Sequence, residues 1–430
     1  MLFTNKRFMR GVQVVVVAIY VYLPSTSYAQ PTTSTMKIES APDAIHQLIQ
    51  QVLPTHPRFT AAQAELDAVK ANLTAAEQAI YNPELELDTE KTDIRTSTIG
   101  LSQTIDWGDQ RGAKTQIANH QLDAARANFQ RQRQQLIRDL LIVLIDYRNK
   151  TQLSQLSSTR LKTMKDFYRL AQQKHAAGDL NQIELDLAQL AYSETVMNNA
   201  QILTGQVNAE QAFYALYSAA SNSGKPALPD LSFDFQAVDI PADLDTFVMT
   251  LPQMRIVRAN VEARKNTIAL RESESSADPT ISIRGGKEDQ ESLAGLTLTI
   301  PLNVRNNFSA EIESARKEYL QAEQLAQQAF HNLRSDITSS TRQYQLTQNA
   351  WQQWQSSGQV SVNRQLKLLK RLWRAGDLST TDYLVQIKQN LDTQSAGIEL
   401  QTTLWSSWLN WLETTAQIES WLQLNTIRNQ

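Results

Sequence analysis

The sequence predicts a mainly α-helical protein with a small β part, organised as two copies of one unit that each end in a very long antiparallel helical hairpin. Three observations predict it. All twelve prolines fall before residue 84 or between 226 and 301, which frees the two remaining windows from the residue that breaks helix interiors. Inside those windows, 109–174 and 309–374 are rich in Ala, Gln, Leu, Arg and Glu, the strong helix formers. The tetrapeptide Ala-Gly-Asp-Leu occurs twice, at Gly178 and at Gly376, once after each helical run.

The chain opens with Lys6, Arg7 and Arg10, an apolar run over 12–23, Pro24 and then Ser27-Tyr28-Ala29. That order is the one a secretory signal uses, and the run is too short to span a bilayer comfortably. Residues 1–29 are therefore expected to be removed, which takes the formal charge from −3 to −6. A mildly acidic chain is a poor candidate for nucleic acid. There is no cysteine, so disulfides, thiolate metal sites and lipidation at a mature N-terminal Cys are excluded. No later segment approaches 18 consecutive apolar residues, so no helical membrane span is expected.

The first repeat is expected over 30–225, a linker over 226–251 and the second repeat over 252–430. Pro57, Phe59, Ala64, Leu66, Asp67, Ala68 and Lys70 line up in order with Pro252, Met254, Ala259, Val261, Glu262, Ala263 and Lys265. Asn82-Pro83 answers Asp278-Pro279, and the strand-like GLSQTI from Gly100 answers GLTLTI from Gly295. Each copy thus reads helix, strand, strand, long helix, tip, returning helix. In the first strand Leu85 and Leu87 alternate with Glu84, Glu86, Asp88 and Glu90; in the second Ile99, Leu101 and Ile105 alternate with polar residues. Over 280–283 and 293–300 the pattern returns, with Leu296, Leu298 and Ile300 on one face. Period two suits a transmembrane barrel strand and equally any half-buried strand.

A helix of about 65 residues reaches about 100 Å, far beyond a globular helix, and implies coiled-coil-like packing or a spanning tube. Each run breaks at its Ala-Gly-Asp-Leu and resumes over 181–219 and 379–424. Glycine supplies a left-handed helix end, and Asp179, Asp377 or Ser379 can cap the helix that follows. Cap chemistry alone accounts for the Gly-Asp pair; a docking role is the second possibility. Leu136 to Ile145 reads as buried helix, and Trp405, Trp408 and Trp411, with Trp351 and Trp354, as packing residues.

Four strands cannot close a membrane barrel, and an open sheet in lipid leaves unpaired backbone edges. If these strands are membranous, several chains must pool them; three chains supply twelve. Here the sequence resembles the TolC-like outer membrane efflux proteins, from about residue 43 to 424. Asn82-Pro83-Glu84-Leu85, Leu101-Ser102-Gln103, Trp107-Gly108-Asp109-Gln110-Arg111-Gly112-Ala113 and the two Ala-Gly-Asp-Leu tips carry the resemblance, in order and behind a signal sequence.

The resemblance implies a homotrimer in the outer membrane of a Gram-negative bacterium: a twelve-stranded transmembrane β-barrel continued by an α-barrel tunnel through the periplasm. It implies that the tips meet a periplasmic membrane fusion (adaptor) protein, beneath which sits an inner-membrane pump, proton-driven and of RND type. The matching tip positions are Gly178, Asp179 and Leu180, and Arg374, Gly376, Asp377, Leu378 and Ser379. Asp382 matches the first acidic position of the family's tunnel constriction, whereas the second acid is Val385 here. The Asn-Pro-Glu-Leu opening looks more like the metal-exporting branch than the drug-exporting one. If the leucines face outer membrane lipid, Glu84, Glu86, Asp88 and Glu90 face a lumen and threefold symmetry makes an acidic throat.

The five histidines show no i, i+4 pairing, and G-x-S-x-G, P-loop and H-E-x-x-H patterns are absent, so neither a metal site, a cofactor nor an enzyme is expected. The resemblance thus implies a passive duct that exports small solutes, metal cations or drugs. Its alternatives are the outer duct of a type I protein secretion system and a soluble periplasmic coiled-coil scaffold.

Overall fold

The frame of the molecule is α3, Gln110–Ala176, a 67-residue helix that turns back as α4, Gln182–Tyr217. The computed structural model describes residues 38–217, 229, 231 and 233–424. The signal sequence predicted over 1–29 lies outside them, as does part of the linker. Before α3 come α1 (Asp43–Val52), α2 (Pro57–Ala76) and strands β1 (Glu84–Lys91) and β2 (Arg95–Thr104). After α4 come α5 (Leu244–Thr250), α6 (Pro252–Glu274), β3 (Thr280–Glu288), β4 (Glu291–Thr299) and α7 (Ser309–Gln353). Both α2 and α6 begin with proline at a first-turn position, where its missing N–H costs nothing.

The second long run differs from the unbroken helix the composition allows. A π-turn, Trp354–Gly358, separates α7 from α8 (Gln359–Ala375), and Gln359 N–H donates to Trp354 O, one residue further back than in an α-turn. The Trp354 ring explains the site of the break: a Cβ on Gly397 or on Gly358 would lie 2.4 or 2.2 Å from it. The final helix is also split. The continuous 379–424 stretch read from sequence becomes α9 (Thr380–Thr414) and a short α10 (Ile418–Trp421), because Ala416 takes φ 56° and ends α9.

One core lies where α3, α7, α9 and the descending linker meet. Leu136, Ile137, Leu140, Leu141, Leu144 and Ile145 of α3 are buried, as the apolar block predicts. Trp405, Trp408, Trp411 and Trp421 pack with Phe233, Phe235 and Tyr344, with ring centroids 4.8 Å apart for Phe235–Trp405 and 5.1 Å for Tyr344–Trp408. Burying rings of this size dominates local stability. The linker is stitched on through its backbone: Tyr344 Oη donates to Gln236 O at 2.6 Å, and Gln345 Nε2 to Val238 O at 2.8 Å.

Among the described residues no helix is long and apolar enough to cross a membrane. The strands form one four-stranded antiparallel sheet in the order β1-β2-β3-β4. The central β2–β3 pair joins the strands that precede α3 to those that precede α7.

Candidate functional site

The sheet has two chemically different faces. Cross-strand partners place Leu85 beside Leu101, Leu101 beside Ile283 and Ile283 beside Leu296, while Leu87 meets Ile99 and Ile281 meets Leu298. All eight point into solvent in the single chain, from 42% exposed for Ile281 to 75% for Leu296. Among the described residues nothing covers this apolar face, which in water is a contiguous patch of the kind that marks a membrane or protein contact. The opposite face carries Glu84, Glu86, Asp88 and Glu90 on β1, Thr96, Thr98 and Ser102 on β2, Ser282, Arg284 and Glu288 on β3, and Thr297 on β4. All four β1 acids are exposed. The outer strands β1 and β4 each present an unpaired backbone edge.

The junction between sheet and α3 is fixed by buried Asp278. Its carboxylate accepts from Tyr81 Oη at 2.8 Å, from Gln110 Nε2 at 2.9 Å and from the Trp107 backbone N–H at 3.0 Å. Asp106 accepts the N–H groups of Gln110 and Arg111, and Asp109 that of Gly112, so orphan donors of the first α3 turn are satisfied. This is what the Trp-Gly-Asp-Gln-Arg-Gly-Ala segment does locally.

About 100 Å of helix separates that junction from the tips. Both tips have one geometry. Gly178 and Gly376 take φ 83° and 88°. At the first, Gly178 N–H donates to His175 O at 3.0 Å and Asp179 N–H to Lys174 O at 2.9 Å; at the second, Gly376 N–H donates to Trp373 O at 3.2 Å and Asp377 N–H to Leu372 O at 3.0 Å. These paired closures are the Schellman motif, which ordinary L-residues resist at the left-handed position. Nothing lies within 4 Å of a Cβ at either glycine, so backbone shape and not crowding selects it.

Of the caps the sequence offers, Ser379 is used and the two aspartates are not. Asn181 Oδ1 accepts Glu184 N–H at 2.9 Å while Glu184 Oε2 accepts Asn181 N–H at 3.2 Å, a capping box. At the second tip Ser379 Oγ accepts Asp382 N–H at 3.1 Å and donates to Asp382 Oδ2 at 2.7 Å. Asp382 is exposed in the first turn of α9. Asp179, Asp377 and Arg374 stay at the exposed end of the hairpins, whereas Leu180 turns inward and Leu378 is half-buried.

The two tips are held side by side by residues the sequence reading missed. Phe167 of α3 lies 4.6 Å from Trp373 of α8 and 5.1 Å from Tyr383 of α9, and Trp373 stacks on Tyr383 at 5.0 Å. Lys174 Nζ sits 5.4 Å from the Trp373 ring. Ala171, Leu180, Ala188, Leu369, Ile387 and Leu391 complete this core. Burial pushes the Tyr383 hydroxyl up to about 12, the Arg374 charge working against it. The signal was present in sequence as large aromatic residues on the helical side of each glycine, Phe167 and Tyr168 before Gly178 and Trp373 before Gly376.

Residues 48–219 match the family model described as outer membrane efflux protein. No curated protein matches the chain. Among solved structures, the CmeC outer membrane channel of Campylobacter jejuni superposes with a TM-score of 0.73 at 13% identity, over 87% of this chain and 86% of that one. CusC, described for its folding and transmembrane channel formation, gives 0.74 at 14% identity over 89% and 95%. The outer membrane protein VceC of Vibrio cholerae gives 0.71 at 15% identity over 87% and 96%. At these identities the structural matches establish the fold, which is that of the TolC-like channels.

Proposed function

We propose that this chain, which resembles the TolC-like outer membrane efflux proteins in the sequence of its first half and in its whole fold, is the trimeric outer membrane duct of a tripartite exporter. The observation that carries the proposal is the two-faced sheet. An exposed row of Leu and Ile, two unpaired edges and a polar opposite face make no stable object in water as one copy, and become a closed barrel when three copies supply twelve strands. The apolar rows then face lipid and the acids of β1 face the lumen. From the row of Gln103, Ile281 and Leu298 to that of Leu87 and Ile99 is four residues, and Ile105 and Ile300 extend the band to about 20 Å.

Below the barrel, the helical hairpins line a periplasmic tunnel whose tips dock a membrane fusion protein through Gly178, Asp179, Leu180, Arg374, Gly376, Asp377, Leu378 and Ser379. Three copies of Asp382 form a ring near the tunnel end. The pump beneath, of the proton-driven RND type, supplies energy, and the duct is passive. Carboxylates at four alternate positions of β1 attract cations, which favours metal cations or cationic drugs as cargo.

The test is fractionation of cells expressing the chain, followed by a high-salt wash of the membranes. A protein that stays with the outer membrane in salt and leaves only in detergent supports the barrel. One that washes off has strands that never enter lipid, and the scaffold reading then replaces this one.

A further inference from the structure

The polar face of the sheet carries a single cation among its strand residues, Arg284. It stands in the cross-strand row Glu86, Gly100, Arg284, Gly295. Glycine on both sides opens two lanes for its side chain, and it occupies one. A Cβ on Gly295 would meet Arg284 Nε at 3.0 Å and Cγ at 3.2 Å, whereas the Arg284 atom nearest to one on Gly100 is its own Cβ, at 3.5 Å. The guanidinium therefore runs across Gly295, away from Glu86 of its own chain and towards the open edge of β4. No acid of its own chain pairs with it among the described residues.

Beyond that edge, in a ring of identical copies, lies β1 of the next copy, since β1 and β4 are the two open edges and a heterologous contact repeats until it closes. The facing strand brings Glu84, Glu86, Asp88 and Glu90 on the same polar side. Adjacent strands are about 4.8 Å apart, so β3 and the next copy's β1 are about 9.6 Å apart, a gap that an arginine and a carboxylate side chain bridge together. We propose that Arg284 reaches over Gly295 to form an ion pair with a β1 acid of the neighbouring protomer, and that this contact keys the β4–β1 register at which the barrel closes. The proposal rests on the trimeric barrel described under Proposed function. Gly295 is the window that lets the contact form, and like-charge crowding along β1 gives the incoming cation its attraction.

The absence of cysteine permits a direct test. Chains carrying only Arg284→Cys are co-expressed with chains carrying only Glu84→Cys, Glu86→Cys, Asp88→Cys or Glu90→Cys, and treated in membranes with a bis-thiol reagent of about 10 Å reach. A two-chain product can form only between protomers, and the β1 position giving it identifies the partner. In parallel, the temperature at which the detergent-extracted trimer band dissociates is measured for Arg284→Glu, Arg284→Gln and Gly295→Leu. The expected result is a two-chain product at one β1 position, a lowered dissociation temperature in all three variants, and recovery when Arg284→Glu is combined with Arg at the identified acid. Should Arg284→Glu fail to assemble, the two milder variants carry the measurement. Wild-type dissociation temperatures throughout, or no two-chain product at any β1 position, overturn the ion pair and leave the trimer standing. A wild-type chain that never forms a trimer overturns both.

Discussion

Replacing Gly376 by Ala isolates the backbone of the second tip from everything else there. The added methyl meets nothing within 4 Å, so no clash contributes. What remains is φ 88°, a left-handed value that costs a residue with a Cβ about 1–2 kcal/mol. That strain falls on the two closing hydrogen bonds, Gly376 N–H to Trp373 O and Asp377 N–H to Leu372 O. Local opening of the turn should become about 5–30-fold more frequent. Hydrogen–deuterium exchange of the peptide covering 372–380 reads this directly, with the unchanged Gly178 tip as internal reference. Asn tolerates the left-handed region better than Ala, so Gly376→Asn should lie between Ala and wild type. Exchange in the Ala variant no faster than in wild type would falsify the assignment of this glycine to backbone shape, as would an Asn variant more perturbed than Ala.

Four further outcomes follow from the same geometry. Trp373→Ala empties the ring that Phe167, Tyr383 and Lys174 share and should cost about 3–5 kcal/mol at the tip, seen as limited proteolysis near both glycines, whereas Trp373→Phe keeps most of the protection. Leu87→Arg on the apolar face should cost about 2–4 kcal/mol of membrane stability and lower trimer yield, while Thr98→Arg on the opposite face assembles normally. Bulky charged residues at Gly376 and Leu378 should abolish export, assayed as cargo retention, with trimers intact; unchanged export contradicts a docking role for this tip. Burial holds the carboxyl of Glu419 above its ordinary range, against the pull of Arg133, so the folded state takes up a proton more readily than the unfolded one. Stability should therefore rise in wild type relative to Glu419→Gln as pH falls from neutral through that raised value, and urea titrations at several pH values would show the sign.

What the sequence made legible was local. Proline exclusion and helix-forming composition located the long helices to within a few residues, since both act on each residue's own backbone. The duplicated Ala-Gly-Asp-Leu located both tips, because a left-handed residue flanked by good helix formers has few substitutes. Alternation located all four strands. The features that escaped depend on partners far along the chain. The π-turn at Trp354 exists because Gly397, on another helix, leaves room for a ring. The aromatic cluster that clamps the tips brings Phe167 against Trp373 and Tyr383, and no periodicity within one helix announces that meeting. Of the three caps the sequence offers, Ser379 is used, whereas Asp179 and Asp377 are each consumed as the residue that closes the preceding Schellman turn; after Asp179 the next polar residue, Asn181, takes the cap instead. At the acidic strand, sequence parity anticipated the face shared by Glu84, Glu86, Asp88 and Glu90; the single cation on that same face emerged only with the cross-strand register.

The central claim is that this sheet is one third of a barrel. The most direct measurement is the native mass of the protein after extraction from outer membranes in mild detergent. The account predicts a single species of three chains that falls to one chain on boiling; a protein that is monomeric or dimeric when extracted, or that needs no detergent to remain in solution, contradicts it.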